Sequence, residues 1–253
     1  MTAPQAERIV MRQRWHDLLF LHWTLPPEIV QRTLPPALRV DTYDGRAYVA
    51  LVPFRMTDVA PVGLPSVPGV SDLLECNVRT YVRREDGSLP GVWFYSLDAG
   101  RAVAAAVARA TFALPYFWAS MSIREREVRH GGESEREIAY WSRRIHPGAP
   151  PGGCDLAYRV HGEPAPAAPG TLEEFLIERY RLYARKGKSL LTGRVYHAPY
   201  RIQPARLLHL RESLIGAAGL ARPDSAPLVH YARSVSVAVA PAARIDATDL
   251  FSR

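Results

Sequence analysis

Between Leu73 and Arg83 the side chains alternate in character: Leu74, Cys76, Val78, Thr80 and Val82 share one face, and Glu75, Asn77, Arg79 and Tyr81 share the other. That period of two fixes an extended strand. An Asp86-Gly87 turn and a short loop then lead into Gly91-Val92-Trp93-Phe94-Tyr95-Ser96-Leu97, a β-branched and aromatic run, so the two segments read as a hairpin. A second hairpin is expected around His130-Gly131-Gly132, between Met121 to Arg129 and Glu135 to His146, with Arg and Glu facing each other across it. Ala47 to Phe54 reads as another strand, with Pro53 placing it at an edge or a bulge, and Pro227 to Pro241 as a late one.

Helix signals are fewer. Prolines 26 and 27 start a short helix that Pro35-Pro36 stops, and Asp98 is positioned to cap the alanine-rich run Ala99 to Ala110. Thr171-Leu172-Glu173-Glu174 has the form of a capping box and predicts a helix over Leu172 to Tyr183. Roughly nine or ten strands against three or four helices predict a mainly β (α+β) fold, an antiparallel sheet or barrel with attached helices. The expected organisation is a single domain over residues 1–253, with Gly162 to Gly170 as a connection.

Composition bounds the function classes. The chain is 47% hydrophobic and 23% charged, which excludes disordered, collagenous and coiled-coil classes. No apolar run approaches a membrane span and the N-terminus has no secretory h-region, so a cytoplasmic location is expected. Cys76 and Cys154 fit no disulfide framework or CxxC pattern and read as reduced small hydrophobes. The net charge is +7, but 30 of the 32 basic residues are arginine, and residues 1–185 contain no lysine. An amine nucleophile can therefore come only from Lys186, Lys188 or the N-terminus.

Most motif tests are negative. Gly187-Lys188-Ser189 resembles the end of a phosphate loop, but Leu182 stands where the first glycine belongs. No GxGxxG, GxSxG or HExxH occurs, the eight histidines are scattered, and no metal or cofactor is expected. The segment 179–211 holds nine basic residues, no acid, and four tyrosines. Aromatics amid positive charge can hold nucleic acid, but no recognised module accompanies them, so solvated strand faces are the stronger reading.

The positive signal is the polar face of the first hairpin strand. Glu75, Asn77, Arg79 and Tyr81 supply an acceptor, an amide, a fixed cation and a phenol, which suits either the wet outside of a sheet or the lining of a barrel cavity.

Several segments in order and spacing carry a resemblance. They are Arg14-Trp15, His22-Trp23, Asp44-Gly45, Glu75-Cys76-Asn77-Val78-Arg79-Thr80-Tyr81, Ser96-Leu97-Asp98-Ala99, Leu114-Pro115-Tyr116, Pro169-Gly170-Thr171-Leu172, Glu178-Arg179-Tyr180 with Tyr183, and Val195-Tyr196-His197-Ala198-Pro199. Together, over about residues 12 to 240, the chain resembles the YqjF-like family of uncharacterised bacterial proteins. That family is similar to the acetoacetate decarboxylase fold, a β-barrel whose cone-shaped interior holds the active site. The resemblance implies that Glu75, Asn77 and Arg79 sit on a barrel strand with the Pro115 segment crossing nearby, and that self-association into a homo-oligomer accompanies the fold. In the decarboxylases a lysine directly after the matching proline forms a Schiff base with the keto acid, and a second lysine beside it lowers its pKa. Here those positions are Tyr116 and Phe117, neither of which can condense with a carbonyl.

What remains is a polar pocket for a small anionic or carbonyl-containing molecule. In an enzyme, of lyase or hydrolase type, Glu75 and Tyr116 are the catalytic candidates, and Asn77, Arg79, Tyr81, Tyr95, Arg179 and His197 the substrate-binding ones. In a non-catalytic module the same groups hold a ligand. In a purely structural reading Glu75 and Arg79 form a buried ion pair.

Overall fold

The computed structural model describes residues 7–67, 71–102, 105–106, 113–130, 133–187 and 189–245. In chain order the elements are β1 (Met11–Leu25), α1 (Pro27–Gln31), β2 (Leu38–Val40), β3 (Ala47–Pro61), β4 (Leu73–Arg84), β5 (Gly91–Ala99), β6 (Tyr116–His130), β7 (Glu133–Arg144), β8 (Gly153–Val160) and β9 (Ala165–Pro166). They continue with α2 (Leu172–Ile177), β10 (Arg181–Lys186), β11 (Ser189–Tyr196), β12 (Arg201–Glu212), α3 (Leu214–Ala217), β13 (Leu228–Val239) and β14 (Ala243–Ile245).

The strands β13-β1-β3-β4-β5 form a continuous wall, and both of its edges fork. β5 pairs in parallel with β10 through Val92 and Trp93, and with β6 through Leu97 to Ala99. β13 pairs with β12 through His230 to Ala232, and with β11 through Val239 and Ala238. The branch β6-β7-β8-β12 closes a nine-strand barrel on one face of the wall. The branch β10-β11 closes a smaller ring on the other.

Where both branches cover it, as at Leu18 to Leu21 of β1 and Ala47 to Val52 of β3, the wall is buried and apolar on both sides, as sheets covered on both faces must be. Leu18, Leu19, Phe20 and Leu21 are all buried, yet they belong alternately to two cores. Leu19 and Leu21 pack with Ile138, Leu156 and Tyr158 inside the larger barrel. Leu18 and Phe20 pack with Val52, Phe54 and Val237 inside the smaller ring.

The hairpin strands fall where the alternation and turns place them, as β4–β5 and β6–β7. Cross-strand charge pairs form between Arg126 and Glu137 and between Glu125 and Arg136. Pro53 takes the second of its two expected placements: it lies in an interior strand opposite Cys76, within the stretch where the β1–β3 register shifts and where Asp17 of β1 has a φ of 53°. The bulge in β1 spares the ladder bond that proline cannot give. Two other expectations are corrected.

The helix begun by Thr171 ends at Ile177 rather than Tyr183. The N-cap half of its box forms, with Thr171 Oγ1 accepting from the Glu174 N–H at 3.3 Å, while Glu174 Oε2 reaches one residue further back and accepts from the Gly170 N–H at 2.6 Å. Pairing of Arg181–Lys186 with β11 then overrides the local propensity. Asp98 is not a cap but a strand residue opposite Cys76. Half of the run Ala99 to Ala110 that it was expected to cap lies outside the described residues.

At the β5–β10 fork the backbones approach so closely that a Cβ on Gly91 would meet Arg181 O at 2.7 Å and the Tyr183 ring at 2.9 Å. Gly91→Ala is expected to cost about 1–3 kcal/mol through this overpacking, measured by urea unfolding. An unchanged midpoint would show that the fork opens without strain.

Candidate functional site

Leu73, Glu75, Asn77 and Arg79 of β4 look into the smaller ring, where they border a cavity of about 200 Å³. Its walls are largely apolar, with Trp15, Val52, Phe54, Leu97, Leu182 and Val195 contributed by five different strands. Cross-strand pairing sets Phe54 beside Glu75 and Val52 beside Asn77. The polar groups Glu75, Asn77, Arg79 and Tyr116 converge on one side of this apolar space. Tyr116 reaches it because β6 leaves β5 at the fork, with Tyr116 opposite Leu97.

Glu75 is buried, at 3% exposure. Its Oε2 accepts from the Tyr116 hydroxyl at 2.7 Å and its Oε1 from Asn77 Nδ2 at 3.2 Å. From the larger barrel behind it, the Tyr140 hydroxyl donates to its backbone carbonyl at 2.8 Å. Burial pushes the carboxyl pKa from 4.5 up to about 7, against the lowering effect of the Tyr116 and Asn77 hydrogen bonds and of the Arg79 charge. Glu75 can thus both hold and release a proton near neutrality. Burial, reinforced by the charge of Glu75, lifts Tyr116 well above the ordinary phenol value, so it remains an O–H donor.

Arg79 makes no ion pair with Glu75; none of the salt bridges among the described residues includes either side chain. Its guanidinium carbon sits 5.5 Å from the Phe20 ring centroid and 5.9 Å from that of Tyr81. Its Nε and Nη2 are buried without a hydrogen-bond partner, as is Asn77 Oδ1. Two open guanidinium donors in an apolar cavity are the arrangement an anion or carbonyl oxygen satisfies.

The other candidates lie around this space without lining it. Tyr81 follows the alternation, but α2 covers that end of the ring; its hydroxyl donates to Leu176 O at 2.7 Å and its ring packs 5.4 Å from Phe175. His22 Nε2 lies 2.7 Å from the same hydroxyl oxygen and, since that hydroxyl already donates, is the donor, which leaves His22 Nδ1 buried and bare. Burial and the nearby Arg79 keep His22 neutral, well below the ordinary imidazole value.

Arg179 is absorbed by the same cover. It donates to Asp41 at 2.8 Å and to Phe175 O at 2.8 Å, and lies 4.2 Å from the Phe175 ring. Tyr95 points away from the cavity because β5 bulges where Val78 faces Ser96 but Arg79 faces Phe94. The extra residue reverses the alternation, so Phe94 and Leu97 line the cavity while the Tyr95 hydroxyl meets Thr33 at 2.6 Å. His197 packs between the tilted rings of Tyr180 and Tyr200, at 4.6 and 4.5 Å, and backs the lining residues Trp15 and Tyr200.

Sequence reasoning missed the ion pair beneath the site. Asp98 and Arg144, 0% and 2% exposed, meet at 2.7 Å through Nη2 and 3.0 Å through Nε. The one hint, Asp98 at the end of an apolar strand, fitted a helix cap equally well. Lys186 is exposed at the end of β10 and does not line the cavity; Lys188 lies outside the described residues. The segment 179–211 forms β10, β11 and β12, with Tyr183 and Tyr200 buried and Tyr180 bonded to Glu178. That use of its rings weakens a nucleic-acid role.

Among the described residues no group of three or more His, Cys, Asp and Glu side chains is placed to hold a metal ion, and no helix is long and apolar enough to cross a membrane.

The architecture is that of the acetoacetate decarboxylase-like β-barrels. An acetoacetate decarboxylase-like enzyme from Sphingomonas wittichii RW1 superposes with a TM-score of 0.59 at 12% identity, covering 97% of this chain and 98% of that one. The enduracididine biosynthesis enzyme MppR, solved with pyruvate, gives 0.61 at 13% over 97% and 93%, and the acetoacetate decarboxylase of Legionella pneumophila 0.57 at 13% over 97% and 92%. In sequence the chain matches the family DUF2071, described as an uncharacterized conserved protein, over residues 12–236, and it belongs to that family. It is 35% identical over 228 residues to the uncharacterized protein YqjF of Bacillus subtilis strain 168, covering 90% of this chain and 89% of YqjF.

Proposed function

We propose that this barrel seats a small anionic, carbonyl-containing metabolite on Arg79 and exchanges a proton with it through Glu75, in chemistry of the lyase or hydrolase kind that uses no lysine Schiff base. The observation that carries the reading is a buried carboxyl poised at about 7 in the same cavity as a guanidinium with two open donors. The ligand's carboxylate or carbonyl oxygen takes the Arg79 donors. Ionised Glu75 accepts a proton from the carbon next to the carbonyl, the C–H electron pair passes into the enolate, and Arg79 stabilises the oxygen that gains charge. Tyr116 holds the Glu75 carboxyl in place through its 2.7 Å hydrogen bond. The pyruvate bound by MppR supports a ligand of this chemical kind.

A non-catalytic ligand-holding role is the second reading. It is favoured by Tyr116 and Asn77, which already occupy both Glu75 oxygens. Buried, unlinked thiols at Cys76 and Cys154, 3.9 Å apart, suit a cytoplasmic setting, which we keep as part of the proposal together with self-association.

Proton exchange in heavy water separates the readings. With 2-oxobutanoate as probe, loss of the C3 proton signal is expected to accelerate as pH rises through about 7, where Glu75 ionises. Glu75→Gln is expected to slow it at least a hundredfold, on the order of what one general base contributes. Exchange that Glu75→Gln leaves intact overturns the acid–base role. Binding without exchange in either form establishes the second reading.

A further inference from the structure

We infer that the ligand of this cavity is a monocarboxylate whose remaining body is compact and apolar, of about the size of a phenyl ring or a branched aliphatic chain. The inference rests on the Arg79 seat proposed above and adds what the rest of the molecule must be.

Charge comes first. Arg79 is the one cation among the described residues that line the cavity, and it can satisfy one carboxylate. A second carboxylate on the same ligand would face hydrocarbon or the Glu75 carboxyl, since the opposite walls are Leu18, Leu182, Val195 and Val239. The free polar capacity is equally narrow. Gln13 and Trp15, at the start of β1, are joined to each other, with the indole N–H donating to Gln13 Oε1 at 2.7 Å. Glu75 is engaged by Tyr116 and Asn77, so among the described lining residues the unmet groups are the Arg79 donors, Asn77 Oδ1 and the single hydroxyl of Tyr200. Hydroxyls spread along a sugar acid would leave water and find apolar carbon.

Size then limits the body. A dry cavity of about 150 Å³ accommodates benzene, so the cavity here, of about 200 Å³, has room for a benzene-sized group plus a carboxylate, roughly nine non-hydrogen atoms. The walls fit such a group on both sides of the polar strip. Phe54 and Val52 flank Glu75 and Asn77 from β3, and Phe94 and Leu97 flank from β5 by virtue of the bulge at Tyr95. Without that bulge the polar Tyr95 hydroxyl would enter in place of the Phe94 ring.

Calorimetric titration of the full chain with a matched panel tests this: 4-methylpentanoate and phenylacetate as apolar monocarboxylates, glutarate as dicarboxylate, glycerate as polar acid, and leucine as the amino acid. The apolar pair is expected to bind on the order of thirtyfold more tightly than the other three. Arg79→Met, which keeps the length of the side chain but not the charge, is expected to lose the apolar pair as well. Leu97→Phe narrows the cavity and should weaken phenylacetate more than acetate, with Val52→Ile as a milder alternative if that variant folds poorly.

Equal binding of glutarate, glycerate or leucine, still dependent on Arg79, overturns the apolar-body inference and leaves the carboxylate seat intact. Binding of the apolar acids that Arg79→Met does not reduce, or no binding of any of the five at 10 mM, overturns the seat itself.

Discussion

Glu75→Gln is expected to stabilise the protein above pH 7. The carboxyl has its pKa raised by burial from 4.5 to about 7, so between those values the folded chain holds a proton that the unfolded chain releases. Stability from this group is complete below about pH 4.5 and is lost as pH rises through 7. The span of about 2.5 units corresponds to about 3 kcal/mol. Glutamine cannot ionise and escapes that loss. It also preserves the local bonds: the amide oxygen accepts from Tyr116, and the amide N–H can donate to Asn77 Oδ1, at present unpartnered, once the Asn77 side chain turns over. Urea unfolding at pH 5 and pH 8 should therefore show a gap in favour of the variant of about 1 kcal/mol at the lower pH, growing to about 3 kcal/mol at the higher. A variant less stable than the parent at pH 8 removes the claim that burial holds Glu75 protonated.

The second large effect lies behind the site. Arg144→Met is expected to destabilise by about 3–5 kcal/mol, because it leaves Asp98 as an uncompensated charge at 0% exposure. The loss includes the hydrogen bond to Pro150 O at 3.2 Å and the stacking of the guanidinium 4.1 Å over Phe117. Asp98→Asn combined with Arg144→Met should recover much of the loss, since the pair then vanishes together. A functional signature accompanies the single variant. Asp98 already pushes the Glu75 pKa upward, so freeing it from Arg144 should move the proton-exchange profile to higher pH. An unshifted profile would mean that Asp98 is too well screened to reach Glu75.

Local pattern carried much of this fold. The alternation in β4 marks a strand with one polar and one apolar side, and the Asp86-Gly87 turn and the Arg and Glu residues across β6 and β7 mark a tight turn and a solvated hairpin by chemistry that needs no distant partner. β1 and β3 are less legible because both faces are buried, which erases the period of two from Leu18 to Leu21 and from Ala47 to Val52. The polar face of β4 was readable as a cavity lining for the converse reason: Glu, Asn and Arg recur at every second position, and the structure sets all three around one space.

Tyr95 was not readable, since a one-residue bulge that reverses a strand leaves no local mark. Nor were the hold of Asp41 on Arg179 and of Arg144 on Asp98, which join residues far apart in the chain. The alanine-rich run favoured Asp98 as a cap by composition alone, and strand pairing with β4 outweighed it.

Because one wall serves two chambers, drift in this lineage is constrained unevenly. A residue of β1, β3 or β4 that changes on one side disturbs a neighbour whose side chain fills the opposite chamber, as Cys76 does between Glu75 and Asn77. The short branch β10–β11 sends Leu182 and Val195 into the chamber that holds Arg79 and belongs to the wall of that ring alone. Divergence in ligand choice among relatives should accordingly gather at Leu182, Val195 and the rim at Met11 and Val59, where volume and polarity can vary without unsettling the shared partition.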